Sequence, residues 1–201
     1  MRCLRLAIVS ALILTGTGCS TAPAVGRTSP TDAASTSANR IYSMVQAGDL
    51  TDSGDIPAPQ GEVVLTLTGA ISKTNVGNTL ALDLATLERV GLIEYRMNDV
   101  QAEGREARFR GVLLRDLLDL AGVSPAASTL HFIALNDYAI DIPVSDVRSM
   151  PVMVATSVDG QRMTVDRFGP TRVIYPMDQL KLDRAQYDAR LIWQLDRIDV
   201  R

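Results

Sequence analysis

No cysteine follows Cys19 in this chain of 201 residues. Whatever folds beyond that point has no disulfide to constrain it and no thiolate to offer a metal. Buried apolar surface must hold it together. The composition permits this, with 46% apolar and 21% charged side chains. Cys3, Cys19 and His131 are the only Cys and His residues, one short of a four-ligand zinc site. Lys and Arg number 20 against 23 Asp and Glu, and aromatics make up 4%. That balance excludes nucleic acid as a main partner, which calls for a basic face or aromatic platforms. A Ser-His-Asp hydrolase would rest on His131 alone, and no nucleophile-elbow motif accompanies it.

The first residues read as an export signal. Arg2 and Arg5 precede the apolar run Leu6 to Leu14, too short to span a bilayer as a mature helix. Gly16-Thr17-Gly18-Cys19 resembles a bacterial lipoprotein cleavage box, with Gly16 where Leu is usual. The alternative is ordinary cleavage after Ala22-Pro23-Ala24. The sequence therefore predicts an exported bacterial protein, periplasmic or held at the membrane only through a lipid on Cys19. Without Arg2 and Arg5 the 20 basic residues become 18 against 23 acidic, a net charge of −5. The expected organisation is a signal peptide over 1–18, a lipobox Cys and flexible Ser/Thr/Ala/Pro-rich tether over 19–59, and a domain over 60–201. Within the tether, Ile41 to Val45 has the character of a short helix.

Glu62 to Thr68 is β-branched and closed by Gly69, a strand. Asp83 caps a short helix through Val90, with Leu84, Leu87 and Val90 at helical spacing. Leu92 to Met97 returns to strand character. Phe109 to Val112 leads into a second helix over Leu113 to Ala121, with an apolar stripe of Leu114, Leu117, Leu118 and Ala121 and Gly122 as its stop. Thr129 to Leu135 and Tyr138 to Ile142 read as strands joined at Asn136-Asp137. Pro143 opens a further turn of helix. Val152 to Val158 and Gln161 to Val165 flank Asp159-Gly160, the strongest hairpin signal in the chain. Arg172 to Tyr175 and Leu191 to Val200 close the list of strands. The pattern predicts an α+β domain, a β-rich mixed sheet with short helices.

Five segments in this order resemble the oxidoreductase molybdopterin-binding domain family, with its sulfite-oxidase-type fold. They are Gly111-Val112-Leu113-Leu114-Arg115-Asp116-Leu117-Leu118, Asn136-Asp137-Tyr138 with Ile142-Pro143, and Asp159-Gly160-Gln161-Arg162-Met163. Gly169-Pro170-Thr171-Arg172 through Pro176 and the closing Trp193 to Val200 complete the set. The resemblance implies a molybdenum held by a pterin dithiolene and, in redox members, by one Cys thiolate on the strand before the Gly111 helix. Here that strand, Leu92 to Asn98, holds Glu94, Tyr95, Arg96 and Met97 and no Cys. A thiolate donates strongly to a high-valent metal, and neither Met nor a carboxylate replaces it electronically. The family's His before the Gly-x-Pro-x-Arg turn is replaced by Arg167-Phe168, and the turn is one residue shorter than in sulfite oxidases. Molybdopterin is thus implied by the resemblance alone, and the residues themselves name no cofactor, metal ligand or catalytic group.

If the family's cleft persists, Arg96, Asn136, Tyr138, Arg172 and Arg190 are the candidate cofactor-binding residues. The Arg172 guanidinium suits a phosphate or other oxyanion, since its fork matches such oxygens bidentately. Alternatively it pairs with Asp166 or Asp178 and fixes its turn. Asn136 to Tyr138 supplies a cleft mouth, an Asx-type turn, or both. His131 reads as an edge or partly buried histidine with one hydrogen bond, Trp193 as core, and Met150, Met153, Met163 and Met177 as packing. Asp183, Asp188, Asp196 and Asp199 read as a solvated face.

The leading expectation is a molybdopterin-binding-domain-like envelope module without redox turnover, binding a small anionic ligand or an envelope protein. A molybdopterin-dependent oxidoreductase with a non-Cys metal site is the alternative. It requires a deep basic pocket lined by Arg96, Arg172 and Arg190. The third reading is an interaction domain of an envelope sensing system, with an exposed apolar patch.

Overall fold

The computed structural model describes residues 41–50, 54–100 and 103–201. The expected signal peptide, Cys19 and the expected tether as far as residue 40 lie outside the described residues.

Alternating apolar residues build two sheets that share one buried cluster. The first carries strands β1 (Ser43–Gln46), β4 (Leu92–Asp99), β5 (Arg105–Leu113), β8 (Met153–Val158) and β10 (Arg172–Ile174) in that order, all antiparallel, with β9 (Gln161–Arg162) paired to β8. The second has the order β3 (Leu80–Asp83), β2 (Val63–Gly69), β11 (Leu195–Val200), β6 (Thr129–Ala134) and β7 (Ala139–Pro143). Only β2 and β11 run parallel, so the second sheet is mixed. Short helices α1 (Leu84–Glu88), α2 (Leu114–Leu120), α3 (Val144–Ser149) and α4 (Arg184–Tyr187) join them. Among the described residues no helix is long and apolar enough to cross a membrane.

The local signals explain most of these elements. The Asp83 carboxylate accepts from Thr86 N at 2.8 Å, capping α1, and from the backbone N–H groups of Gln60 and Gly61. Hydrogen bonds from Thr86, chiefly, hold its pKa far below the usual carboxylate range against the cost of burial. Gly122 ends α2 with φ +61°, a left-handed conformation that suits glycine. At Gly111 the register of β5 against β8 slips. A Cβ there would meet the Val154 carbonyl oxygen at 2.1 Å, which explains the glycine that opens the Gly-Val-Leu-Leu motif.

Three local expectations fail. Ser43–Gln46 is an edge strand on β4, not part of a helix. Pairing with β4 overrides its weak helical pattern, and Tyr42 anchors the segment by accepting from Arg115 at 2.8 Å. The second arm of the Asp159-Gly160 hairpin stops after Arg162 and gives way to a 3-10 turn over Val165–Arg167. The last strand begins at Leu195, leaving Trp193 outside it at an isolated bridge to Arg172.

Candidate functional site

The strand that the resemblance makes the metal strand is β4. Its period of two turns Ile93, Tyr95, Met97 and Asp99 inward, all buried, while Arg96 and Asn98 face out. Asp99 accepts from both terminal nitrogens of Arg172, at 2.8 and 3.1 Å. Arg172 is only 3% exposed, and its guanidinium carbon lies 5.3 Å from the Phe109 ring centroid. Its Nε is a buried nitrogen with no hydrogen-bond partner. The Tyr95 hydroxyl donates to the Ile174 carbonyl at 2.8 Å, and burial raises its pKa well above the phenolic value. Arg172 therefore does pair with a carboxylate, but Asp99 replaces the expected Asp166 or Asp178. Charge taken into a core needs a partner that is also in the core, and Asp99 is buried.

A different arrangement surrounds the turn between β6 and β7. Asn136 Oδ1 accepts from Tyr138 N at 3.2 Å, an Asx turn, with Asp137 at φ +63°. The Tyr138 hydroxyl crosses to the Ala189 carbonyl at 3.0 Å. Between the two sides opens a cleft of about 270 Å3, lined by Ala134, Asn136, Tyr138, Asp188, Ala189, Leu191, Ile192, Trp193 and Gln194. The Asn136 step is thus an Asx-type turn that also lines the mouth of a cleft. Trp193 is 40% exposed rather than core, and packs on Phe168 at 4.7 Å between ring centroids. Phe168 (φ +66°) and Gln194 (φ +52°) both adopt left-handed backbone, at about 1–2 kcal/mol each. Gln194 fastens that corner through N–H to Phe168 O and Nε2 to Val165 O. A smaller hollow of about 120 Å3 shares Asp188, Leu191 and Trp193 with the cleft and reaches Arg172 and Val100.

The expected basic pocket does not form. Arg96 is exposed, pairs with Glu106 at 2.9 Å, and lines a separate polar hollow with Arg108 and Asp159. Arg190 pairs with Asp146 and sits 4.8 Å over the Tyr187 ring, outside both hollows. The three arginines lie on β4, on β10 and after α4, and each meets a different carboxylate first. His131, on the interior strand β6, is partly buried and pairs with Asp141 at 2.7 Å. The four aspartates do not form one solvated face. Asp183 caps α4, Asp199 accepts from Thr68 and Arg201, and Asp188 lines the cleft. Among the described residues no group of three or more His, Cys, Asp and Glu is arranged to hold a metal. Sequence reading missed Asp99, Asp188 and Gln194. Asp99 had a signal: an acidic residue in phase with Ile93, Tyr95 and Met97 on a buried strand face demands a cation.

Two short-helix-bearing sheets around one core define the class, a sulfite-oxidase-type α+β fold. The crystal structure of the sulfane dehydrogenase SoxCD from Paracoccus pantotrophus matches with TM-score 0.52 and 18% identity, over 74% of this chain and 40% of that one. This chain therefore spans less than half the length of the SoxCD chain. Residues 95–179 match the family model described as the oxidoreductase molybdopterin binding domain, so the resemblance stands, and four of the five motifs lie within that span. A comparison with curated proteins found no match.

The residues present do not fit the cofactor that this family implies. β4 offers no thiolate, the Tyr95 proton is committed to Ile174 O, and Asp99 is committed to Arg172. The guanidinium best suited to a phosphate already spends one N–H of each terminal nitrogen on Asp99, which neutralises its charge.

Proposed function

We propose that this chain is an exported envelope protein whose molybdopterin-binding-type domain serves as a ligand-binding or accessory module without redox turnover. The observation that carries the reading is the use of β4. The strand that supplies a metal thiolate in redox members here ends in Asp99, which neutralises Arg172 within the core. The cleft beside Tyr138 and Trp193 offers a surface for a ligand. The export signal and Cys19 support location in the envelope, with acylated Cys19 as the anchor.

Metal and pterin analysis of the full chain purified from a molybdenum-replete host tests the reading. Substoichiometric molybdenum and pterin are expected. Stoichiometric molybdenum with substrate-dependent electron transfer would overturn it and restore the oxidoreductase alternative. Labelled fatty acid should enter the chain and be lost in Cys19→Ala. Secretion of an unlabelled free form would instead support cleavage near Ala24.

A further inference from the structure

We infer that the cleft between Tyr138 and Trp193 takes a compact organic cation, an ammonium or guanidinium group carrying apolar surface. This rests on the ligand-binding reading above and names its ligand class. Charge is the first reason. Among the described residues, Asp188 is the only formally charged side chain in the cleft lining, which contains no Lys, Arg or His. Arg172, in the adjoining hollow, has its charge neutralised by Asp99. Arg184 approaches Asp188 at 3.4 Å, but both side chains are about half exposed, and such a pair contributes little and yields readily. An anion entering here would meet the Asp188 carboxylate in the lining, with Arg184 and Arg172, the nearby cations, each already facing a carboxylate.

The rings are the second reason. Tyr138 and Trp193 both line the cleft and are 43% and 40% exposed, large π surfaces left open beside a carboxylate. Aromatic faces attract cations, Trp most strongly, and quaternary ammonium groups are recognised this way. The ring positions are held from behind: Phe168 packs on Trp193, and the Tyr138 hydroxyl is tied to Ala189 O. Size is the third. About 270 Å3 lies just under the ~300–1,000 Å3 typical of sites for larger small molecules, so a single cationic head with a few carbons is suited. The source is either a free small cation or a basic side chain presented by another protein.

Trp193 is the sole tryptophan of the chain, so its emission reads the cleft without a label. Full-length protein is titrated with choline, with a blocked arginine amide, with 3,3-dimethylbutanol as the neutral isostere of choline, and with inorganic phosphate. At least one cation should change the emission saturably, at concentrations about tenfold below the neutral alcohol, and phosphate should not. Asp188→Asn should weaken cation binding about tenfold, leave the alcohol's binding unchanged, and melt like the parent. Choline binding identifies a free small cation, and binding of the arginine amide alone identifies a presented side chain. Equal binding of the alcohol and choline, a saturable response to phosphate, or no response to either cation would overturn the assignment. Molybdenum-free protein that ignores both cations removes this inference and leaves the ligand-module reading intact. Protein purified with stoichiometric pterin removes both.

Discussion

Arg172 and Trp193 meet across a single antiparallel bridge, yet one is drawn into the protein and the other left at its surface. Arg172 was the residue most suited by its chemistry to grip a ligand. The structure gives it a buried carboxylate instead, and with both terminal nitrogens occupied it acts as a strut between β4 and β10. Trp193, by composition a core residue, stands open beside Tyr138 and Asp188. The difference teaches that availability, not chemical type, marks a binding residue. A charged group satisfied internally contributes to the fold, whereas a large ring left unsatisfied is free for a ligand.

The largest effect should come from separating the buried pair. Asp99→Ala leaves an uncompensated guanidinium in the core and should cost about 3–5 kcal/mol in denaturant unfolding. The double variant Asp99→Leu, Arg172→Met should recover most of that loss, since an apolar pair of similar volume carries no desolvation penalty. A double variant as unstable as the single would assign the cost to packing instead of charge. Asp83→Ala, remote from both regions, provides the reference and should cost about 1–2 kcal/mol at neutral pH through its lost cap. Because the folded pKa of Asp83 is lowered, its stabilisation is complete above the unfolded value of about 3.9 and fades as pH falls below it. The gap between parent and variant should therefore narrow on going from pH 7 to pH 3. Trp193→Ala should cost about 1 kcal/mol, mostly its contact with Phe168, since two-fifths of the residue is already exposed to water. A loss as large as that of Asp99→Ala would make Trp193 structural and erase the contrast. Tyr138→Phe should be smallest, about 0.5–1 kcal/mol for one half-exposed hydrogen bond to Ala189 O.

The family resemblance was legible because the motifs that carry it are local geometric necessities. Gly111 is required by the close approach of Val154, and the Asn136 turn follows from its own side chain bonding Tyr138 N. The elements around them were legible for the same reason, with Asp83, Gly122 and Asp159-Gly160 marking their ends. The candidate site was legible only in part. Asn136 and Tyr138 line the cleft, whereas Arg96, Arg172 and Arg190 each went to a separate carboxylate.

By itself the sequence determined that no thiol lies beyond Cys19, that the chain alternates short strands with short helices, and where most of them begin and end. These are properties of single residues or of neighbours a few positions apart, where periodicity, capping and turn chemistry act. Tertiary structure alone decided that Asp99 would meet Arg172, 73 positions away, that Ser43–Gln46 would join the sheet, and that Trp193 would stay open. Each depends on which strands become neighbours, and that is chosen by burying the whole apolar surface at once, a sum no local window contains.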